Sequence, residues 1–207
     1  MKKAIQKNAL ILAAFAIACT AVVGVVDLIT KDKIALQKQR YLLKTLNEII
    51  PPEKHDNNLY QTCTSFVDGN GNAQKRYLAT KGDSPVAVAL TATAPDGYNG
   101  NISLIVAINT DNSVSGVRVI DHKETPGLGD KIELRKSQWI TSFSGKKLEG
   151  EKDSRWKVVK DGGMFDQFTG ATITPRAIVK AVKESILYFE KNRQSLLNNV
   201  NTCQGDK

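Results

Sequence analysis

Apolar and polar positions change their spacing three times along this chain. From Ala9 to Val26 the sequence reads ALILAAFAIACTAVVGVV, about 18 residues without a charge, close to the roughly 20 that a helix needs to cross a bilayer's hydrocarbon core. A cleaved signal peptide has an apolar region of only about 7–15 residues, so run length favours an uncleaved membrane span. The tetrapeptide AIAC ending at Cys19 has the outline of a lipoprotein cleavage site, yet the apolar run continues past the cysteine. From Lys31 to Ile50 the spacing becomes helical and amphipathic, with Ile34, Leu42, Leu46, Ile49 and Ile50 set among charged residues. Pro51-Pro52 ends it, since proline lacks the amide hydrogen that would continue the helix.

Beyond residue 53 short β-type runs dominate. Polar, turn-rich PPEKHDNN and VDGNGNAQ bracket a short segment around Cys63. The stretches 85–94, 101–109 and 113–121 are rich in Val, Ile and Thr and are separated by turn residues, which predicts strands. Thr110-Asp111-Asn112 makes a hairpin of the last two. A Gly-rich turn follows, then a short helix around 130–142 and further strands near KKLEG and WKVVKDGG. A final amphipathic helix is predicted from Pro175 to about Arg193, with Ile178, Val182, Ile186 and Phe189 on one face. The pattern predicts an α+β chain: residues 1–30 hold the N-terminus and membrane helix, 31–52 a stalk helix, and 53–207 one domain with a polar tail.

Composition is compatible with a packed core, with 41% hydrophobic and 24% charged residues. The net charge of +8 is dispersed and part of it comes from Lys2, Lys3 and Lys7. No basic run interleaved with aromatics indicates nucleic-acid binding. Those three lysines are unopposed at one flank of the span, whereas Asp27, Lys31, Asp32 and Lys33 nearly cancel at the other. The positive-inside bias then keeps the N-terminus in the cytoplasm. For a bacterial chain this predicts a single-pass protein of the inner membrane with a periplasmic C-terminal domain. Cys19 falls in the span, and Cys63 and Cys203 form an even pair in an oxidising compartment. A disulfide is expected there, the alternative being two unpaired thiols.

Familiar catalytic signatures are missing. With only His55 and His122, and neither HExxH nor CxxC, no metal site is expected. Gly145-Lys146 has no glycine five positions earlier, as a phosphate loop requires, and PGLGDK lacks the third glycine of a dinucleotide fingerprint. The segment FDQFTGATITPRAIVKAV, by contrast, places three threonines before a helix. Thr174 suits an N-cap with Pro175 as first helical residue. Thr169 and Thr172 are then left over, around the small residues Gly170 and Ala171. A helix N-terminus downstream offers unpaired amides and partial positive charge, a seat for phosphate.

Asp166-x-x-Thr169-Gly170-Ala171-Thr172 resembles the acceptor signature Asp-x-x-Ser/Thr-Gly-Ala-Thr, at which a flavin transferase esterifies the phosphate of FMN to the last threonine. Together with APDGYNGNI (94–102) and HKETPGLGDKIE (122–133), the chain is similar over nearly its whole length to the RnfG/RsxG family, whose members bring an FMN-binding domain to Rnf/Rsx-type electron transport complexes. The resemblance implies a membrane-anchored electron-transfer subunit carrying covalent FMN on Thr172, in a complex that couples electron transfer to ion translocation. It implies a redox subunit without a catalytic side chain of its own, not a stand-alone enzyme. Its implied partners are a second covalent-FMN subunit, iron–sulfur subunits, integral membrane subunits and a flavin transferase for maturation.

Further site residues follow from these motifs. Asp166 reads as a transferase recognition residue and Thr169 as support for the loop or the phosphate. Glu124, Thr125, Pro126, Gly127, Leu128 and Gly129 form a turn, its glycines letting backbone approach the flat ring and Leu128 pressing on it. Gly97, Tyr98 and Gly100 supply the opposite wall. Lys131, Arg135 and Arg176 are candidate phosphate partners by chain position. Two alternatives remain at this stage. One is the corresponding component of sodium-pumping NADH:quinone reductase, which shares the acceptor motif and ETPGLG but is longer. The other is a non-redox extracytoplasmic binding module in which the threonine loop is only a helix cap.

Overall fold

A computed structural model describes residues 2–69 and 71–198 of the 207. The chain divides near Leu42 into two units. Helix α1, Lys2–Ile49, is continuous and contributes to both. In its N-terminal part large apolar side chains are exposed, among them Leu10, Leu12, Phe15, Ile17 and Val23. Water would not tolerate such a surface on one helix, and lipid does. The Thr20 hydroxyl donates to Ala16 O at 2.8 Å, so the hydroxyl within the span is satisfied inside the helix as a hydrocarbon environment demands.

The second unit is built on a five-stranded antiparallel meander: β1 (Thr64–Val67), β2 (Ala73–Lys81), β3 (Ser84–Gly97), β4 (Gly100–Asn109) and β5 (Val114–Asp121). Strands β3 to β5 lie where the Val/Ile/Thr runs predict them, and Asn112, at φ 66°, closes the β4–β5 hairpin. One face of the sheet carries Val88, Leu90, Ile102, Leu104, Val106 and Val117 against helix α2 (Ile173–Leu197). The predicted face of α2, Ile178, Val182, Ile186 and Phe189, is buried there. Strand β4 therefore reads as an unbroken apolar run, because its other face is covered too. On that side the end of α1 closes on β5: Ser115 Oγ donates to Ile49 O at 2.6 Å, and Arg118 Nε lies 3.2 Å from Glu48 Oε2. A Cβ at Gly116 would lie 3.0 Å from Ile49 Cβ, so the approach depends on glycine.

Three expectations are corrected. No α-helix occupies 130–142; two short 3₁₀ turns, Gly129–Ile132 and Gln138–Phe143, stand there. Extended backbone at Glu133 and Ser137 separates them, turning Trp139 over Phe143 and Phe168 in edge-on contacts at 5.5 and 5.1 Å. The stretches KKLEG and WKVVKDGG form no strands, only single bridges Ser113↔Lys147 and Val158↔Phe165. The final helix begins at Ile173 rather than Pro175, and a non-helical Asn192 (φ −113°, ψ 18°) interrupts it close to its expected end.

Candidate functional site

Three segments distant in sequence meet at the N-terminal end of α2. The first is the β3–β4 turn, where Gly97 pairs with Gly100, which has φ 100°, and the turn residue Tyr98 is 68% exposed. The second follows β5. Thr125 O accepts from Leu128, Gly129 and Asp130 amides at 3.2, 3.0 and 3.4 Å, and Gly127 has φ 78°. Pro126 and Gly127 thus occupy the positions that a type II turn assigns to proline and glycine.

The third segment is the threonine loop, anchored by aromatic packing. Phe165 stacks on Phe143 with ring centres 4.4 Å apart, and Trp139 Nε1 donates to Asp166 O at 2.7 Å. The Ala171 amide bonds back to Phe168 O at 3.1 Å, around Gly170 at φ 78°. Thr172 then stands at the boundary of α2 with φ −84°, ψ −27°, and its side chain makes no capping hydrogen bond.

Between the segments lies a cavity of about 250 Å³, walled by Tyr98, by Glu124, Thr125, Leu128 and Gly129, and by Gly170 to Thr174. Of the residues expected at the site, these are brought together. Asp166 and Thr169 are exposed in the loop and outside this wall, as are Pro126 and Gly127 on the turn, while Gly97 lies behind Glu124. The candidate cations are also outside it. Arg176 forms a two-pronged pair with Asp161 at 2.6 Å, which raises its pKa and lowers that of the aspartate, and Arg135 pairs with Glu133.

Two roles change on inspection. Thr174 is no N-cap: it lies inside the first turn, 1% exposed, with its hydroxyl donating to Glu124 Oε2. The missing side chain of Gly129 makes room for Glu124 and Thr174. A Cβ there would lie 2.9 Å from Glu124 Cβ, Glu124 Oε2 and Thr174 Oγ1 alike. Glu124, 4% exposed, takes the Asn99 amide on its other oxygen at 3.0 Å. Its own amide donates to His122 Nδ1 at 3.0 Å, so the proton of that ring sits on Nε2, which reaches Glu133 Oε1 at 2.8 Å. Glu133 is held below the usual carboxyl range, first by the Arg135 hydrogen bond and against the effect of burial. The sequence does not single out Asn99, His122 or Ile173 as site residues; Asn99 bonds Glu124 through its backbone amide and Lys123 O through its side chain, at 3.0 and 2.6 Å, contacts across the fold that no local pattern announces.

Among the described residues no group of three or more His, Cys, Asp or Glu side chains could hold a metal. Comparison with known proteins finds a family model described as FMN-binding domain over residues 97–187, and another, RnfG N-terminal region, over residues 1–49. The chain is 53% identical to the G-type subunit of the ion-translocating oxidoreductase complex of Shewanella oneidensis, 51% to that of Shewanella loihica and 50% to that of Vibrio vulnificus. Each alignment covers 99% of this chain, and 98%, 98% and 99% of the relative.

Proposed function

The chain belongs to the RnfG family, the G-type subunits of ion-translocating oxidoreductase complexes, and from that premise we propose that it is the membrane-anchored, FMN-carrying electron-transfer subunit of such a complex. The observation that carries the site assignment is the convergence of all three motif segments on one cavity with Thr172 at its edge. The cavity suits FMN at both ends of that molecule. Early α2 amides have no intrahelical acceptor and favour a phosphate, while Leu128, Ala171, Ile173 and Tyr98 offer apolar surface to a flat ring. FMN supplies the electron chemistry, and the protein positions it.

The attachment we propose is a phosphoester between FMN and Thr172 Oγ1. The threonyl hydroxyl loses its proton, its oxygen bonds to the flavin phosphorus, and the chain gains FMN less one water. A flavin transferase would draw on a pyrophosphate-activated flavin such as flavin adenine dinucleotide, with AMP as the leaving group. Gly170 and Ala171 keep the approach to the hydroxyl clear of side-chain bulk, and Asp166 and Thr169, exposed on the same loop, are within reach of a modifying enzyme. Full-length protein coexpressed with the transferase should give a fluorescent band on a denaturing gel and a tryptic peptide heavier by FMN less one water. A band without fluorescence, under conditions that modify another acceptor of this type, rejects the covalent assignment. It would also return the threonine loop to the role of a simple helix boundary.

The proposal extends to placement and partners. Lys2, Lys3 and Lys7 remain on the cytoplasmic side, the single span crosses the bacterial inner membrane, and the domain faces the periplasm. A reporter active only in the cytoplasm, fused after Lys207, should be silent; activity there reverses the topology. The other members of the complex would include a second covalent-FMN subunit, iron–sulfur subunits and integral membrane subunits.

Cys203 lies outside the described residues, so the Cys63–Cys203 bond stays a proposal. Support comes from Arg76, the cross-strand partner of Thr64, whose guanidinium binds Leu196 O and Asn198 O, each at 2.7 Å. This holds the chain after α2 beside the strand that follows Cys63, and each further residue spans up to about 3.5 Å. Non-reducing peptide mapping should recover the 63–203 pair. Two freely alkylated thiols in native protein would refute it.

A further inference from the structure

We propose that the buried hydrogen bond between Thr174 and Glu124, not a helix cap, positions the Thr172 hydroxyl for flavin transfer; the inference rests on the acceptor reading above. Thr172 makes no side-chain bond to the start of its own helix. The orientation of that first turn must come from its neighbours, and Thr174, two residues on, is the buried polar one. Its hydroxyl donates to Glu124 Oε2, while Glu124 Oε1 accepts the Asn99 amide at 3.0 Å. One carboxylate thereby joins the acceptor helix, the ETPGLG turn and the β3–β4 turn, which are the three walls of the cavity.

The glycines flanking Glu124 leave room for its carboxylate, Gly129 above all. A Cβ at Gly97 would meet Glu124 Oε1 at 3.0 Å and Gly100 O at 2.2 Å, and one at Gly129 would meet Glu124 and Thr174 at 2.9 Å. Gly129 therefore admits a side chain only if the carboxylate or the helix moves, whereas at Gly97 the Gly100 carbonyl of the same hairpin is met first and the carboxylate second. Burial of both partners keeps water from competing for this hydrogen bond. Transfer to a hydroxyl requires alignment of the attacking oxygen with phosphorus, and a displacement of about 1 Å can cost on the order of a hundredfold in rate. Glu124 and Thr174 are thus positioning residues, acting on the reaction through Thr172.

The test uses full-length chain purified in detergent without flavin, incubated with purified flavin transferase and saturating flavin adenine dinucleotide. Attachment is followed by in-gel fluorescence, and a thermal midpoint is measured for each variant so that rates are compared where all are folded. Thr174→Val and Glu124→Ala should each lower the maximal rate about tenfold or more, and the double variant should fall no further than the worse single. Thr174→Ser restores the hydroxyl, and Glu124→Gln keeps a carbonyl for Asn99 and an amide that donates to the Thr174 oxygen. Both should stay within about threefold of wild type. Wild-type rates in Thr174→Val, a double variant slowed by the product of the singles, or Thr174→Ser as slow as Thr174→Val would each overturn the proposal. Thr174→Val conserves side-chain volume and decides the matter if Glu124→Ala does not fold. Labelling of Thr172→Ala in the same assay would instead overturn the acceptor reading, an outcome distinct from any given by the variants at 124 and 174.

Discussion

Thr172→Ala should carry no covalent flavin and remain folded. The loss is expected to be complete, because the proposed phosphoester has one oxygen to form on and neither other threonine of the loop can replace it in place. Thr174 is buried with its hydroxyl committed to Glu124, and Thr169 lies outside the cavity wall on the far side of Gly170. Stability should change by less than about 1 kcal/mol, since the Thr172 side chain makes no capping bond whose removal would cost the helix. Denaturing-gel fluorescence, intact mass and a melting curve measured side by side check all three statements. Fluorescence retained in the variant, or flavin mapped to Thr169 or Thr174 in the parent, contradicts the assignment. A variant that failed to fold would mean that Thr172 is structural.

Phe165→Ala should be the most destabilising single substitution near the site, by about 3–5 kcal/mol. Its ring is buried and stacks on Phe143, and Trp156 lies 5.3 Å away on another side. No loop movement can fill the resulting space without breaking the local backbone bonds, Phe165 N–H to Lys157 O at 3.2 Å and Val159 N–H to Phe165 O at 2.8 Å. This residue hinges the loop that leads to Thr172, so flavin attachment should fall along with stability. Urea unfolding of the full chain in one detergent, monitored through Trp139 and Trp156, measures the first effect. A loss below about 1 kcal/mol would show that the aromatic cluster does not anchor the loop, as ordinary core truncations cost more.

Much of the chain's organisation is legible in its sequence because local chemistry is enough to produce it. An uncharged run near the length of a bilayer core becomes an exposed apolar helix, and Pro51-Pro52 stops that helix just beyond Ile49. Three β-branched runs with turn residues between them become β3 to β5. Strand β2 is harder to read, because its buried positions include Gln74 and Arg76 rather than apolar residues. Gln74 is satisfied by bonds to Thr91 and Thr93, and Arg76 by carbonyls at the end of α2. Those partners lie on other elements, so alternation along β2 alone misreports its inner face.

The threonine motif and its two companions could be recognised in order along the chain, and turn chemistry foretold the bend at Pro126-Gly127. What each polar residue does within the cavity depended on contacts across the fold. A threonine followed by proline carries the same capping preference wherever it occurs, yet Thr174 is drawn into the helix interior by a carboxylate 50 positions earlier in the chain. Gly129 reads in sequence as a residue that lets a ligand approach, and only the fold shows that its missing side chain leaves space for Glu124. Propensity and motif spacing express energies that act within a few residues, and they determined the span, the hairpins and the threonine loop. Hydrogen bonds and close packing between distant segments decided which hydroxyl is held, which is left at the cavity, and which glycine serves a neighbour's side chain.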